Sequence, residues 1–215
     1  MNAEDAARAE LIDAARAVAA RGLSHGSTGN VSVRIDERIL VTPTRSSLAT
    51  VTAKELALTD LHGTAQTDAA PSKEAFLHAA IYQNRPQTRA IVHTHSLHAA
   101  AVSCLADLDP EDVLPPLTAY YAMRVESLPL IEYCAPGDQR LADLAGAAAR
   151  THAALLLANH GPVVAAASPA AAVDVIEEIE QMATIVLLLQ GRQTAPLPAA
   201  ERARLHARTH NPERN

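Results

Sequence analysis

The chain is poor in aromatic residues: no tryptophan, one phenylalanine and four tyrosines, with aromatics at 2% of 215 residues. Its core must be built from Ala, Leu, Val and Ile. Stacking of nucleic-acid bases on aromatic rings is not a way this protein can work. Positive charge is scarce as well. Lys and Arg number 18 against 24 Asp and Glu, for a net charge of -6, and basic residues gather only towards the C-terminus. This argues against nucleic acid as a partner. It leaves room for a small anionic substrate, because such a site needs only local positive charge.

Cysteine is nearly absent. Cys104 and Cys134 make no metal or redox spacing, and no disulfide framework is expected. Long apolar runs are missing too: none approaches the ~20 residues that span a bilayer. The longest, around "AALLLANHGPVVAAA", is broken by Asn159, His160, Gly161 and Pro162. The N-terminus, "MNAEDAARAE", lacks the basic-then-apolar pattern of a secretory signal. The expectation is a cytoplasmic protein with no membrane partner.

What is present is 48% hydrophobic residues, in a chain long enough for one large domain with a full core. Residues 4–21 read as an amphipathic helix with Ala7, Leu11, Ala14, Ala15 and Val18 on one face. "NVSVRI" alternates as a strand, and "RILVT" is its hairpin partner across "DE". "PSKEAFLHAAIYQN" reads as a helix with Ser72 as N-cap and Glu74 in its first turn. "RAIVHTH" is a short strand, followed by a helix from about Ser96. "GDQRLADLAGAAART" is a further helix. "AALLLAN" and "VVAAA" read as strands joined by a tight "HGP" turn. Ser168-Pro169 opens the longest helix, which ends near Gly191. Residues 1–195 read as a single domain and 196–215 as a charged C-terminal tail. Strands alternate with helices, but hairpins are present, so a purely parallel sheet is not expected.

The segment "IVHTHSLHAA" raises the question of chemistry. On a strand, residues i and i+2 share a face, so His93 and His95 project side by side at a strand end. Two imidazoles so placed begin a zinc site, which needs three or four N, O or S ligands. His160 in "ANHGP", beside a glycine that allows close backbone approach, is a further candidate. Glu74 is another. The bland reading of each is a hydrogen-bonded surface residue, and spacing alone does not bring separate segments together.

The chain resembles the class II aldolase/adducin family of sugar-phosphate enzymes. The segments that carry the resemblance are "GSTGNVSVR", "ILVTPT", "PSKEAFLH", "AIVHTHSLHA" and "LLLANHGPVV", in the family order from Gly26 to Val164. The resemblance implies a three-layer α/β/α fold with a central mixed, largely antiparallel sheet. It implies a metal held by His93, His95 and His160, with Glu74 as the acid/base carboxylate and as a further ligand when substrate is absent. The metal expected is Zn2+, one per subunit, though such sites also take Mn2+, Fe2+ or Co2+. Gly29, Asn30, Thr44, Arg45, Ser72 and Lys73 match phosphate-binding positions. Helix starts and turn nests are natural phosphate cradles. His25, His78 and His98 match no ligand position and read as structural.

Two positions depart from the family's aldolases, which usually carry Gly at the place of Arg45 and Ser at the place of Lys73. Arg45 does not take a positive φ as cheaply as Gly, so a different loop is expected there. Within the family, "PSKE" with "LPPLTAYYAMR" is most similar to the bacterial branch that decarboxylates 3-oxo-tetronate 4-phosphate. That resemblance implies a small phosphorylated sugar-acid substrate and a homotetramer with its site between subunits. Tyr120 resembles a proton-donating tyrosine contributed by a neighbouring subunit, and Tyr121 stands next to it. The alternatives are a sugar-phosphate aldolase of the fuculose-phosphate type and, in another class, a non-catalytic adducin-like interaction module.

Overall fold

The first helix begins with a reciprocal cap. The Asn2 side chain accepts the Asp5 N–H at 2.8 Å, and the Asp5 carboxylate accepts the Asn2 N–H. A computed structural model describes residues 2–210. Its elements run α1 (Ala3–Ala20), β1 (Asn30–Ile35), β2 (Arg38–Val41), β3 (Ala57–Asp60), α2 (Ala75–Asn84), β4 (Ala90–His93) and α3 (Leu97–Val102). They continue with α4 (Ala119–Arg124), β5 (Leu130–Ile131), α5 (Arg140–Ala149), β6 (Ala154–Leu157), β7 (Gly161–Ala166), α6 (Pro169–Leu188) and α7 (Ala199–His210).

The strands form one mixed sheet in the order β3-β2-β1-β4-β7-β6-β5. Every pair is antiparallel except β5 with β6. The period-two pattern of the strands divides two cores. Val31, Val33, Leu40, Val92, Leu156 and Val164 pack with α1, α3 and α6. Ile39, Val41, Ile91, Leu155, Leu157 and Val163 pack with α2 and α5 on the opposite face. Helices thus cover both faces, which is the three-layer arrangement expected. Among the described residues no helix is long and apolar enough to cross a membrane.

Local differences from the sequence reading have physical causes. Helix α2 starts at Ala75, with Glu74 as the flanking N-cap residue, so Ser72 is not the cap. Ser72 is tied instead to the end of β2. Its N–H donates to the Thr42 carbonyl at 3.1 Å, and Pro43 bridges Pro71. A turn then intervenes, in which Ser72 Oγ accepts the Glu74 N–H at 3.3 Å. Strand β4 ends at His93, and His95 lies in the link to α3. The β6–β7 turn is Ala158–Asn159–His160, with Asn159 at φ 56, whereas Gly161 and Pro162 already belong to β7. Asn tolerates the left-handed region, so the turn does not need the glycine. Strands β3 and β5 and helices α4 and α7 are additional to those read from the sequence, α7 lying within the segment read as a tail.

The segment after α6 contains α7, which rests on α4. Arg202 of α7 pairs with Asp112 at 3.0 Å and donates to the Glu126 carbonyl. Of the 196–215 segment read as a charged tail, residues 211–215 lie outside the described residues.

Candidate metal centre

The central strands bring the site together. Asn30 stands opposite His93 across the β1–β4 pair, and β7 brings Val163 opposite His93 on the other side. His160 precedes β7, so antiparallel pairing alone carries it to the end of β4. Gly161 makes the approach close: a Cβ there would lie 2.2 Å from the Thr94 carbonyl oxygen and 3.3 Å from the His95 Cα. Ser103, at the end of α3, holds the turn by accepting the His160 N–H on its Oγ at 3.1 Å. Gly29, just before β1, plays the same part, with φ +73 and its missing Cβ 2.8 Å from the His93 carbonyl oxygen.

The result is a cluster of Glu74, His93, His95 and His160 whose donor atoms all lie within 4.8 Å of one another. His93 Nε2 is 3.3 Å from His160 Nε2, which is 2.9 Å from His95 Nε2. The two Glu74 oxygens lie 3.4 Å from His93 Nε2 and His160 Nε2. Ligands about 2.05 Å from a tetrahedral zinc stand roughly 3.3 Å apart. The donor set therefore fits a divalent metal in chemistry and in spacing.

The ring orientations agree. His93 is fully buried, and its Nδ1 lies 2.9 Å from the Pro162 carbonyl oxygen. A carbonyl only accepts, so the Nδ1 carries the proton and the Nε2 presents a bare lone pair to the cluster. This is how a ligating imidazole is held in its binding tautomer.

Charge supports the same reading. Burial and the neighbouring His93 and His160 push His95 down to about 3. Burial and His93 push His160 down to about 4. For Glu74, burial raises the carboxyl, but the His93 and His160 rings and the Asn30 amide outweigh it and bring it to about 2. At neutral pH the carboxyl is ionised, and His95 and His160 are neutral. Lone pairs and a negative charge then face one another at contact distance. That arrangement is unfavourable on its own and favourable around a cation.

The description of a protein-domain family, the class II aldolase and adducin N-terminal domain, matches residues 9–187. The chain belongs to the class II aldolase/adducin family. Among the family's members, a 3-oxo-tetronate 4-phosphate decarboxylase of Pectobacterium atrosepticum is 42% identical over 95% of this chain and 94% of its own length. An L-fuculose phosphate aldolase of Haemophilus influenzae is 30% identical, over 84% and 82%. The crystal structure of YgbL from Klebsiella pneumoniae superposes with a TM-score of 0.91 at 37% identity, covering 95% of this chain and all (100%) of that one.

The other residues singled out by this family resemblance lie at the start of β1, in the loops after β2 and before α2, and on α4. The segments of Thr44–Arg45 and Ser72–Lys73 are neighbours: Thr44 N–H donates to the Ala70 carbonyl at 3.1 Å, and Ser72 leads directly into Glu74. Arg45 takes φ 62, so an arginine occupies the left-handed conformation that favours glycine. A local cost of roughly 1–2 kcal/mol is accepted there. Arg45 and Lys73 are exposed. Asn30 is buried, and its amide is engaged with Glu74, Nδ2 to Oε2 at 2.7 Å. Tyr120 is 65% exposed on α4, whereas Tyr121 is 2% exposed in the core. Two residues that shape the site carried no sequence signal: Ser103, which holds the His160 turn, and Pro162 through its carbonyl.

Proposed function

We propose that this protein is a metal-dependent 3-oxo-tetronate 4-phosphate decarboxylase, forming dihydroxyacetone phosphate and carbon dioxide in the cytoplasm. One observation carries the reading. A full donor set of three imidazoles and a carboxylate converges in a chain 42% identical, over nearly its whole length, to a decarboxylase of that name.

His93, His95 and His160 would hold the metal, with Glu74 completing the set when no substrate is bound. Zinc is the metal assigned, and Mn2+, Fe2+ or Co2+ suit the same donors. Such a metal, when bound, supplies Lewis acidity that stabilises negative charge developing on the ketone oxygen. The chain's own residues do the rest. Thr44, Ser72 and the backbone around Gly29 form the cradle for the phosphate. Arg45 and Lys73 add positive charge beside it, matching a substrate with two anionic ends. In the reaction the bond to the carboxylate breaks, its electron pair moves towards the ketone oxygen, and carbon dioxide leaves. The carbon left behind needs one proton, and Glu74, ionised at rest, is assigned to pass it on after taking it up from solvent.

Tyr120 is assigned as proton donor to the site of a neighbouring copy, a role that its exposure permits. The working unit is then a homotetramer with the site between subunits. The exposed Leu97 and Leu188, at 72% and 78%, offer apolar surface for such contacts.

The test is product analysis. Metal-loaded protein with 3-oxo-tetronate 4-phosphate should give dihydroxyacetone phosphate and carbon dioxide in equal amounts. An aldehyde released from a phosphorylated ketose, with no decarboxylation, would assign an aldolase. Neither product, with no bound metal, would assign a non-catalytic module.

A further inference from the structure

Helix α3 is tied to the segments of two cluster histidines. His95 stands just before it, two residues ahead of Leu97. At its other end Ser103 accepts the Asn159 N–H on its carbonyl at 3.1 Å and the His160 N–H on its Oγ at 3.1 Å. The same hydroxyl donates to the Ala100 carbonyl at 2.7 Å, so α3 itself aims the lone pair that holds His160. The placement of α3 therefore bears on both His95 and His160.

Two kinds of contact hold α3. Ala99 and Val102 are buried in the core to which α6 contributes Ile176, Ile179, Met182 and Ala183. Apolar contact is non-directional, so it sets the distance between the helices more than their register. The second kind is directional. Glu180, on α6, reaches the opening of α3 with its carboxylate. One oxygen accepts the His98 N–H at 3.0 Å and lies 2.7 Å from His98 Nδ1, and the other accepts the Ala99 N–H at 2.9 Å. A carboxylate only accepts, so the His98 ring carries its proton on Nδ1. Hydrogen bonds to a charged acceptor are the strong ones, and a planar group that takes two successive backbone N–H groups fixes a helix end in position and in rotation. The Glu180 side chain is only 16% exposed, which limits competition from water. On the upstream side, the Thr94 N–H donates to the Pro162 carbonyl at 3.1 Å. His95 is thus held between strand pairing and the Glu180 anchor.

We propose that Glu180 is a positioning residue for the metal centre: by anchoring the start of α3 to α6 it sets the placement of His95, and that of His160 through Ser103. It acts through α3 and is assigned no contact with metal or substrate. The proposal rests on the metal-binding reading of the cluster given above. The plain alternative is a carboxylate that supports the fold and nothing more.

Zinc affinity separates the two. Glu180→Gln keeps the length of the side chain and one acceptor oxygen, but turns an NH2 towards a backbone N–H. Zinc binding to metal-free, full-length protein is measured by competition with a chromophoric chelator, under conditions where circular dichroism shows the native fold. Glu180→Gln should bind zinc about 10-fold more weakly, the lower end of what the loss of a group bonded directly to a ligand costs, because Glu180 acts one step further out. Glu178→Gln is the control. It removes the same charge from the same helix, where the side chain faces Arg124 at 3.7 Å, and should leave zinc affinity unchanged. His98→Ala removes only the ring contact from a partly exposed position and should weaken zinc roughly 2- to 5-fold. Unchanged zinc affinity in folded Glu180→Gln overturns the proposal, even where denaturant unfolding shows lost stability. Equal weakening in Glu178→Gln overturns it too, since the effect would then be one of charge alone. Should Glu180→Gln fail to fold, His98→Ala decides by the same rule. Wild type that binds no zinc overturns the metal-binding reading and this proposal with it, whereas wild type that binds zinc no more tightly than the variant overturns this proposal alone.

Discussion

His93 donates its Nδ1 proton to the Pro162 carbonyl at 2.9 Å, and in doing so points a bare Nε2 at His160. Strands β4 and β7 therefore fix more than the place of the metal-binding cluster. Their pairing also sets which nitrogen is available to bind.

If that cluster holds the metal, His93→Ala or His160→Ala should strip it. Both variants should remain folded, because the two cores lie to either side of the site, and both should lose turnover. Metal analysis of the purified proteins checks this. Wild type without stoichiometric metal, and with activity that survives chelation, would remove the assignment.

Glu74→Gln keeps the shape of the side chain but ends its proton exchange. Loss of a general acid/base costs about 100- to 10,000-fold in rate. Metal content should fall far less than in the histidine variants, since the three imidazoles persist. Steady-state kinetics beside metal analysis separates the two effects. Wild-type turnover by the Gln variant would take Glu74 out of the mechanism.

Gly161→Ala tests the close approach that seats His160. The added Cβ would meet the Thr94 carbonyl oxygen at 2.2 Å, against backbone that has little room to give. The variant should lose about 1–3 kcal/mol of stability through overpacking and bind metal more weakly. Denaturant unfolding and metal titration read the two losses. Unaltered metal affinity would mean that His160 does not depend on this contact.

Much of this was legible in the sequence, for reasons that can be named. The apolar stripe of α1 and the alternation of β1 survive as written because local periodicity already agrees with the tertiary packing. Strand β3, "ALTD", and strand β5, "LI", are too short to show a period, and they exist only because β2 and β6 offer edges to pair with. Helix α4 follows a Pro-rich segment and is held by packing against α6 and α7. At the site, the His93–His95 pair was visible as spacing. The arrival of His160 needed the β4–β7 pairing, which no local pattern carries. The Asn30–Glu74 contact joins a strand to the cap of a helix far along the chain, which no local pattern carries either.

Lys73 stands next to Glu74, exposed, and is the site's candidate for holding the substrate carboxylate. Charge-assisted hydrogen bonds contribute roughly 1.5–3 kcal/mol, so Lys73→Ser should weaken use of the oxo-acid by about 10- to 150-fold. Binding of a phosphorylated ketone that lacks a carboxylate should be nearly unchanged. Equal weakening of both would mean that the lysine serves the phosphate, and no change in either would make it surface charge.

The most direct measurement is a metal titration of the reaction itself. Protein stripped by a chelator is incubated with 3-oxo-tetronate 4-phosphate while zinc is added back in steps, and dihydroxyacetone phosphate and carbon dioxide are measured together. The expected result is almost no turnover in the stripped protein, then a rise that levels off at one metal per chain, with the two products in equal amounts throughout. Undiminished turnover without metal, or a metal-saturated protein that releases no carbon dioxide, would contradict metal-dependent decarboxylation at Glu74, His93, His95 and His160.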